Sequence, residues 1–210
     1  PAYMAKLDAQ ENRAAEVEAV EREVMSALAG RGYSAVNLKE LQDRFAPFPT
    51  SLANALVEIL HSVTQTNVRE SIVRALGVSR GDFDVLPLAK LYDETDSPSI
   101  RWAIANTLAE LRPTALASWL LERAQDRRLG KAREMLPLAV ARTSPRTIAN
   151  PILVRLLADL PGHAALGLAE SGGPEELAAL KQAYKKAHGW EREQIGRAVA
   201  IIERRAQEGG

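Results

Sequence analysis

The sequence predicts an all-α protein made of consecutive helical hairpins. Three observations lead to this fold class: apolar residues recur with the three- and four-residue spacing of an amphipathic helix, similar segments return about every 30 residues, and alternating strand patterns are absent. Apolar residues make up 46% of the 210 residues, which is enough to form a sizeable core. A repeated helical unit is therefore the structural expectation.

Charge and composition argue against several classes of protein. Twenty-seven basic residues balance twenty-seven acidic ones, so a surface dedicated to nucleic acid or to an anionic membrane is not expected over the whole molecule. The chain has no cysteine, and it therefore has neither disulfides nor a thiolate nucleophile. No apolar run approaches the roughly 20 residues that span a bilayer, and the first residues lack the pattern of a signal peptide. We expect a soluble, cytoplasmic protein that does not bind membranes.

Residues 1–46 do not fit the repeat and are expected to form an N-terminal helical cap. The segment from Asp8 to the closing Gly30 predicts a helix of about 22 residues, and Asn37 with Glu40 predicts a capping box at the start of a second helix. A cap would cover the exposed core face at the end of a repeat array. An independent interaction arm is the alternative.

The repeat is clearest in NVRESIVRALG, residues 67–77. Asn67 and Glu70 predict a capping box at its start, and apolar residues follow on one face. Four later segments align on the position of Arg69, with steps of 32, 32, 30 and 29 residues. The residues three and seven places after each aligned position are apolar, except at Glu170, and the residue six places after it is small. The aligned positions hold Arg69, Arg101, Arg133, His163 and Arg192.

A second apolar helix precedes each aligned helix, so each unit of residues 47–210 is a helical hairpin. Small or capping residues before proline mark several helix starts, as at Ser97–Pro98 and Gly173–Pro174. The predicted units cover about residues 49–78, 84–112, 114–143, 145–171 and 174–205.

Paired helices with an arginine just inside the second helix and an ALG-like ending resemble the HEAT-repeat family. The resemblance covers residues 49–205, and the fourth unit departs from it at His163 and Glu170. It implies a right-handed α-solenoid of about five hairpins, with the second helices on the concave side and the arginines tying units together. It also implies a non-enzymatic scaffold that binds a protein or peptide and needs no cofactor. A lyase-like or chaperone role toward a pigment protein rests only on this general resemblance.

The concave face carries a predicted partner-binding strip. Helix geometry turns the residues one and five places after the aligned position away from the core. Trp102, Leu138 and Leu168 hold such places in three consecutive units, and an exposed tryptophan near leucines is typical of a binding hot spot. The expected ligand is an amphipathic helix; the alternative is that curvature or the N-terminal arm buries these side chains. The predicted binding residues are Trp102, Asn106, Leu138, Leu168, Arg74 and Arg197.

The stretch from Arg123 to Arg155 is a second candidate surface, with eight basic residues against two acidic ones. Such an edge could meet phosphates or an acidic protein, although solubility alone also explains it. The alternative function is therefore that of a HEAT-like DNA-binding or DNA glycosylase-type protein. Against an enzyme, the two concave rows contain no aspartate, and no catalytic or metal-binding motif occurs. The candidate anion-binding residues are Arg123, Arg127, Arg128 and Lys131.

The last helix predicts a further contact. Ile195, Val199 and Ile202 form its expected core stripe, while Ile201 projects from a face that should be polar at the end of a repeat array. We expect a twin subunit, in a homo-oligomer, or another partner to cover this end.

Overall fold

A computed structural model describes residues 2–80 and 82–208, with side chains from residue 11 onward within these ranges. These residues form helices joined by short turns and contain no β-strand, only an isolated bridge between Phe48 and Ser79. The predicted all-α class is confirmed. Of the helices in the described ranges, none combines the length and apolar composition needed to cross a bilayer.

The helices fall into two compact units, the first ending at Thr107 and the second beginning at Leu108. The boundary expected after residue 46 stays a prediction. The first unit contains α1 (Ala2–Ala29), α2 (Leu38–Phe45), α3 (Thr50–Ser62), α4 (Thr66–Leu76), α5 (Leu86–Glu94) and most of α6 (Pro98–Leu111). The second unit contains α7 (Ala117–Gln125), α8 (Leu136–Thr143), α9 (Arg146–Leu156), α10 (Pro161–Ser171), α11 (Leu177–Lys186) and α12 (Gly189–Glu208), with 3₁₀ turns at Thr114–Leu116, Arg127–Arg133 and Pro174–Glu176.

Helix α1 is longer than predicted, with 28 residues. Near its C-terminal end Val24, Met25 and Leu28 are buried, and α1 contacts α3 and α4 there. Residues 11–16, by contrast, are all exposed. The C-terminal part of α1 therefore packs on the first hairpin, because it carries an apolar face there.

One of the two predicted capping boxes forms in part, and the other is wrong. Asn37 caps α2 by accepting a hydrogen bond from the backbone N–H of Glu40, at 2.8 Å. In α4 the N-cap is Gln65, whose side chain accepts from the N–H of Val68 at 2.9 Å, so the helix begins one residue before Asn67. Asn67 is already helical and cannot be the cap, which must have non-helical backbone angles.

The five predicted hairpins correspond to the successive pairs from α3–α4 to α11–α12. In α4 the residues three, six and seven places after Arg69 are at most 1% exposed. The same three places are fully buried in α8, where they hold Leu136, Ala139 and Val140. The predicted core positions are confirmed in these helices.

In α10 the predicted core positions are wrong. Leu168, expected on the concave face, is fully buried, while Leu166 is half-buried and Glu170 is exposed. The burial pattern matches the other second helices when Pro161, instead of His163, takes the aligned position. The repeat steps around this unit are then 28 and 31 residues.

Close packing of α10 explains why Leu168 lies in the core. Helix α10 contacts α8, α9 and α12, so three neighbours cover much of its circumference. At Gly167, which takes the small-residue place in the corrected register, an added Cβ would lie 2.8 Å from the carbonyl oxygen of Pro137 in α8. Leu168 therefore lies in the core of the hairpins and not on the concave face, where the sequence predicts it.

Candidate functional site

In the first unit, Trp102 and Arg74 lie together on the outward side of the second helices. Trp102 on α6 is half-buried, and the guanidinium carbon of Arg74 on α4 lies 5.0 Å from the centre of its ring. Glu70, one turn before Arg74, accepts hydrogen bonds from Arg74 Nε at 3.0 Å and Nη2 at 2.7 Å. Asn106, one turn after Trp102, is also half-buried.

The helical spacing of Glu70 and Arg74 fixes the position of the guanidinium. Side chains four residues apart face each other on a helix, so the carboxylate holds Arg74 in place over the neighbouring ring. A guanidinium over an indole face at an exposed site contributes about 0.5–1 kcal/mol. The indole is therefore held in a defined orientation, with part of its surface still open to solvent.

In the second unit, the outward positions hold leucines and one ion pair. Leu138 on α8 is half-buried, and Leu166 takes the corresponding place on α10 in the corrected register. On α12, Arg197 Nη2 lies 2.5 Å from Glu193 Oε1, and both side chains are more than half exposed. Leu138 and Arg197 are thus at least partly exposed, whereas Leu168 is buried, and a role of these residues in binding stays a prediction.

Sequence reasoning missed an aromatic contact at the start of α12. The Trp190 ring lies against Gly162 in α10, where an added Cβ would come within 2.3 Å of a ring carbon. It also contacts the ring of His163, with 4.8 Å between ring centres, yet Trp190 remains 46% exposed. Burial lowers the pKa of His163, while the carboxylates of Glu134 and Glu191 oppose that shift. Nothing in the local sequence identifies this cluster, because it depends on a glycine 28 residues before the tryptophan.

Part of this series of hairpins matches a known protein family. Residues 53–141 match the model of the family described as HEAT repeats. Residues 53–141 therefore carry HEAT repeats. No curated protein and no solved structure matches it.

Two arginines at the aligned positions have a structural role in the HEAT repeats. Arg101 Nε donates to the carbonyl oxygen of Tyr92 at 3.0 Å, and Arg133 Nη1 donates to that of Ala124 at 2.9 Å. Each acceptor lies nine residues earlier, near the C-terminal end of the first helix of the same hairpin. Arg133 is only 4% exposed and also reaches Asp159 at 3.4 Å. Both arginines join the two helices of one repeat, and Arg133 also joins the third repeat to the fourth through Asp159. Their donors are thus engaged within the protein.

The basic edge of the third HEAT repeat is largely paired with carboxylates. Lys131 is exposed, whereas the three arginines predicted beside it each have an acidic partner. The hydrogen bond from Arg128 lowers the pKa of Asp126 to about 2. Much of the positive charge is thus compensated within the protein, which weakens the attraction for phosphate. The pairs are Arg123–Glu122 at 2.7 Å, Arg127–Asp159 at 2.7 Å and Arg128–Asp126 at 2.8 Å.

Acidic and histidine side chains give no metal site in the part of the chain that the structure describes. No three of them lie close enough together to hold an ion.

Proposed function

We propose that this chain is a non-enzymatic scaffold whose HEAT repeats bind a protein or peptide through a surface centred on Trp102. The observation that carries the proposal is the half-exposed indole held beneath Arg74. HEAT repeats generally serve as protein-interaction scaffolds, and the absence of cysteine is compatible with the cytoplasm, where we place the protein.

The Trp102 surface suits an apolar side chain of the ligand. A fixed indole offers a large contact area and loses little conformational entropy on binding, which is why tryptophan is frequent among binding hot spots. Arg74 is already paired with Glu70, so an acidic group of the ligand would exchange one ion pair for another. Apolar contact therefore accounts for most of the affinity, and charge mainly for orientation. An amphipathic helix has the required combination of one apolar face and polar flanks.

Helical peptides selected from a randomised amphipathic library provide the probe. Replacing Trp119 and Trp190 by phenylalanine leaves Trp102 as the single tryptophan. With excitation at a wavelength that tyrosine does not absorb, a change in its emission on titration reports contact at this site. A tryptophan anchor contributes about 2 kcal/mol, so Trp102→Ala should weaken binding roughly thirtyfold. Leu86→Ala is the matched control, since Leu86 is exposed and lies at the start of a first helix.

Two results would contradict the proposal. If Trp102→Ala unfolds the protein while the remaining folded fraction binds with unchanged affinity, Trp102 belongs to the core. The second result is that the chain binds duplex DNA with an affinity that falls steeply with salt. If Leu138→Ala leaves this affinity unchanged and charge reversal at Arg127, Arg128 and Lys131 abolishes it, nucleic-acid binding is the function.

A further inference from the structure

The last hairpin contains an open groove between α11 and α12. Its volume is about 480 Å³, and its floor is mostly apolar, while lysine and glutamate side chains form the rim. The lack of a side chain at Gly196 brings the Tyr184 ring close to α12, because a Cβ there would lie 3.2 Å from Cε2 of the tyrosine. The lining residues are Lys181, Tyr184, Lys185, Gly196, Val199, Ala200 and Glu203.

Val199 shows that this groove is an uncovered core face. It lies seven places after Arg192, the aligned position of the fifth repeat. Val199 is only half-buried, although the neighbouring core position Ile202 is 1% exposed. In the other four repeats the residue at the seventh place is 0% exposed: Leu76, Leu108, Val140 and Leu168.

The rim of the groove is net positive. Lys181 pairs with Glu203 at 2.7 Å, which neutralises both. The guanidinium carbon of Arg192 lies 4.3 Å from the centre of the Tyr184 ring. Among the residues that the structure describes, neither Arg192 nor Lys185 forms an ion pair. Two uncompensated cations therefore border the apolar floor, and they favour an acidic ligand.

We propose that this groove binds an amphipathic helix with acidic residues beside its apolar face. From Arg192 to Glu203, α12 advances about 16 Å at 1.5 Å per residue, which is the length of roughly three helical turns. Apolar side chains at the first, fourth and eighth positions of such a ligand would contact Tyr184, Val199 and Ala200. Glutamates on one flank would then face Lys185 and Arg192. A second copy of this chain fits less well, since it would bring the same two cations to the interface.

Two synthetic helical peptides with identical leucine faces test the charge complementarity, one with glutamate flanks and one with lysine flanks. Fluorescence anisotropy with the full chain should give at least tenfold tighter binding for the acidic peptide at low salt, and a smaller difference at high salt. The double variant Lys185→Glu with Arg192→Glu should reverse the preference.

Ala200→Glu tests the position of the site. Ala200 is exposed, so the substitution leaves the core of α12 unchanged while placing a charge on the groove floor, and the acidic peptide should bind about tenfold more weakly. Ala15→Glu on α1 makes the same change at another exposed helical alanine and should leave binding unchanged. Trp102→Ala should also leave it unchanged, which separates this site from the surface proposed above.

The proposal would be overturned if the two peptides bound with equal affinity. It would also be overturned if the Ala200→Glu variant and the unmodified chain bound the acidic peptide with the same affinity. A dimer detected by sedimentation equilibrium and lost in Ala200→Glu, with no binding of either peptide, would also overturn it and assign the groove to a twin subunit.

Discussion

Substituting Gly167 by alanine should destabilise the protein, although alanine is the better helix former. Gly167 lies inside α10, and an added Cβ would be 2.8 Å from the carbonyl oxygen of Pro137 and 3.0 Å from Cδ2 of Leu153. The leucine methyl group can rotate away, but the carbonyl oxygen belongs to the backbone of α8. Relief of the clash therefore requires α8 and α10 to move apart.

The change in the free energy of unfolding caused by Gly167→Ala has two opposing contributions. Alanine favours a helix interior over glycine by up to about 1 kcal/mol, while overpacking a tight core costs roughly 1–3 kcal/mol. The net effect of Gly167→Ala is a loss of about 1 kcal/mol in the free energy of unfolding. Gly196→Ala in α12 is the matched control, because its Cβ would meet only the Tyr184 ring, at 3.2 Å. That ring is 36% exposed and can move aside, so the control should gain about 0.5–1 kcal/mol.

Urea unfolding followed by far-ultraviolet circular dichroism measures both changes. The two variants should differ by about 2 kcal/mol, with opposite signs relative to the unmodified chain. If Gly167→Ala proves as stabilising as Gly196→Ala, α8 and α10 do not approach each other as described. The corrected register of the fourth repeat would then lose its physical basis.

Three further measurements test the electrostatics. Arg133→Ala should lower the free energy of unfolding by roughly 2–3 kcal/mol, because a buried guanidinium hydrogen bond is lost. Arg128→Ala, at a side chain 89% exposed, should leave the free energy of unfolding nearly unchanged, and urea titrations compare the two variants. Arg128→Ala should also return the pKa of Asp126 from about 2 toward 3.8, measured by carboxyl NMR, and an unchanged pKa would refute the hydrogen bond as its cause. With the pair intact, the stability contributed by Asp126 is present above pH 3.8 and is lost as the pH falls through about 2. The pKa of His163, measured by NMR, should lie below 6.5, because burial lowers it. Protonation then favours the unfolded state, so the free energy of unfolding should fall as the pH drops below 6.5. His163→Gln should remove this pH-dependent loss of stability.

The helical hairpins could be predicted from sequence because each repeat contains its own periodicity. In the fourth repeat the alignment on His163 lies two residues too late. That alignment puts Glu170 at a core position, which a charged residue does not favour. Pro161 marks the start of the helix, because proline is favoured in the first turn. Leu168 is seven places after Pro161, and sequence alone thus places it in the core.

The two tryptophan clusters differ in what a sequence can reveal. Trp102 could be placed on an outward position by counting from Arg101. Its contact with Arg74 joins two outward positions on neighbouring second helices, one place after Arg101 and five places after Arg69. Trp190 could not be placed in this way, because its contact depends on empty space at Gly162 in another helix. Helical periodicity identifies the face on which a side chain lies, but it does not identify a gap that a distant ring can fill.

The arginine bonds to Tyr92 and Ala124 bear on how such a chain folds and how it evolves. Each joins residues nine positions apart, so closing the contact costs little chain entropy, and local contacts of this kind favour rapid folding. A gene duplication that copies one hairpin also copies its stabilising bond, without a compensating change elsewhere. Arrays of this type can therefore gain or lose whole hairpins. A gene rearrangement that breaks the chain between Tyr92 and Arg101 would instead leave the donor and its acceptor in different products.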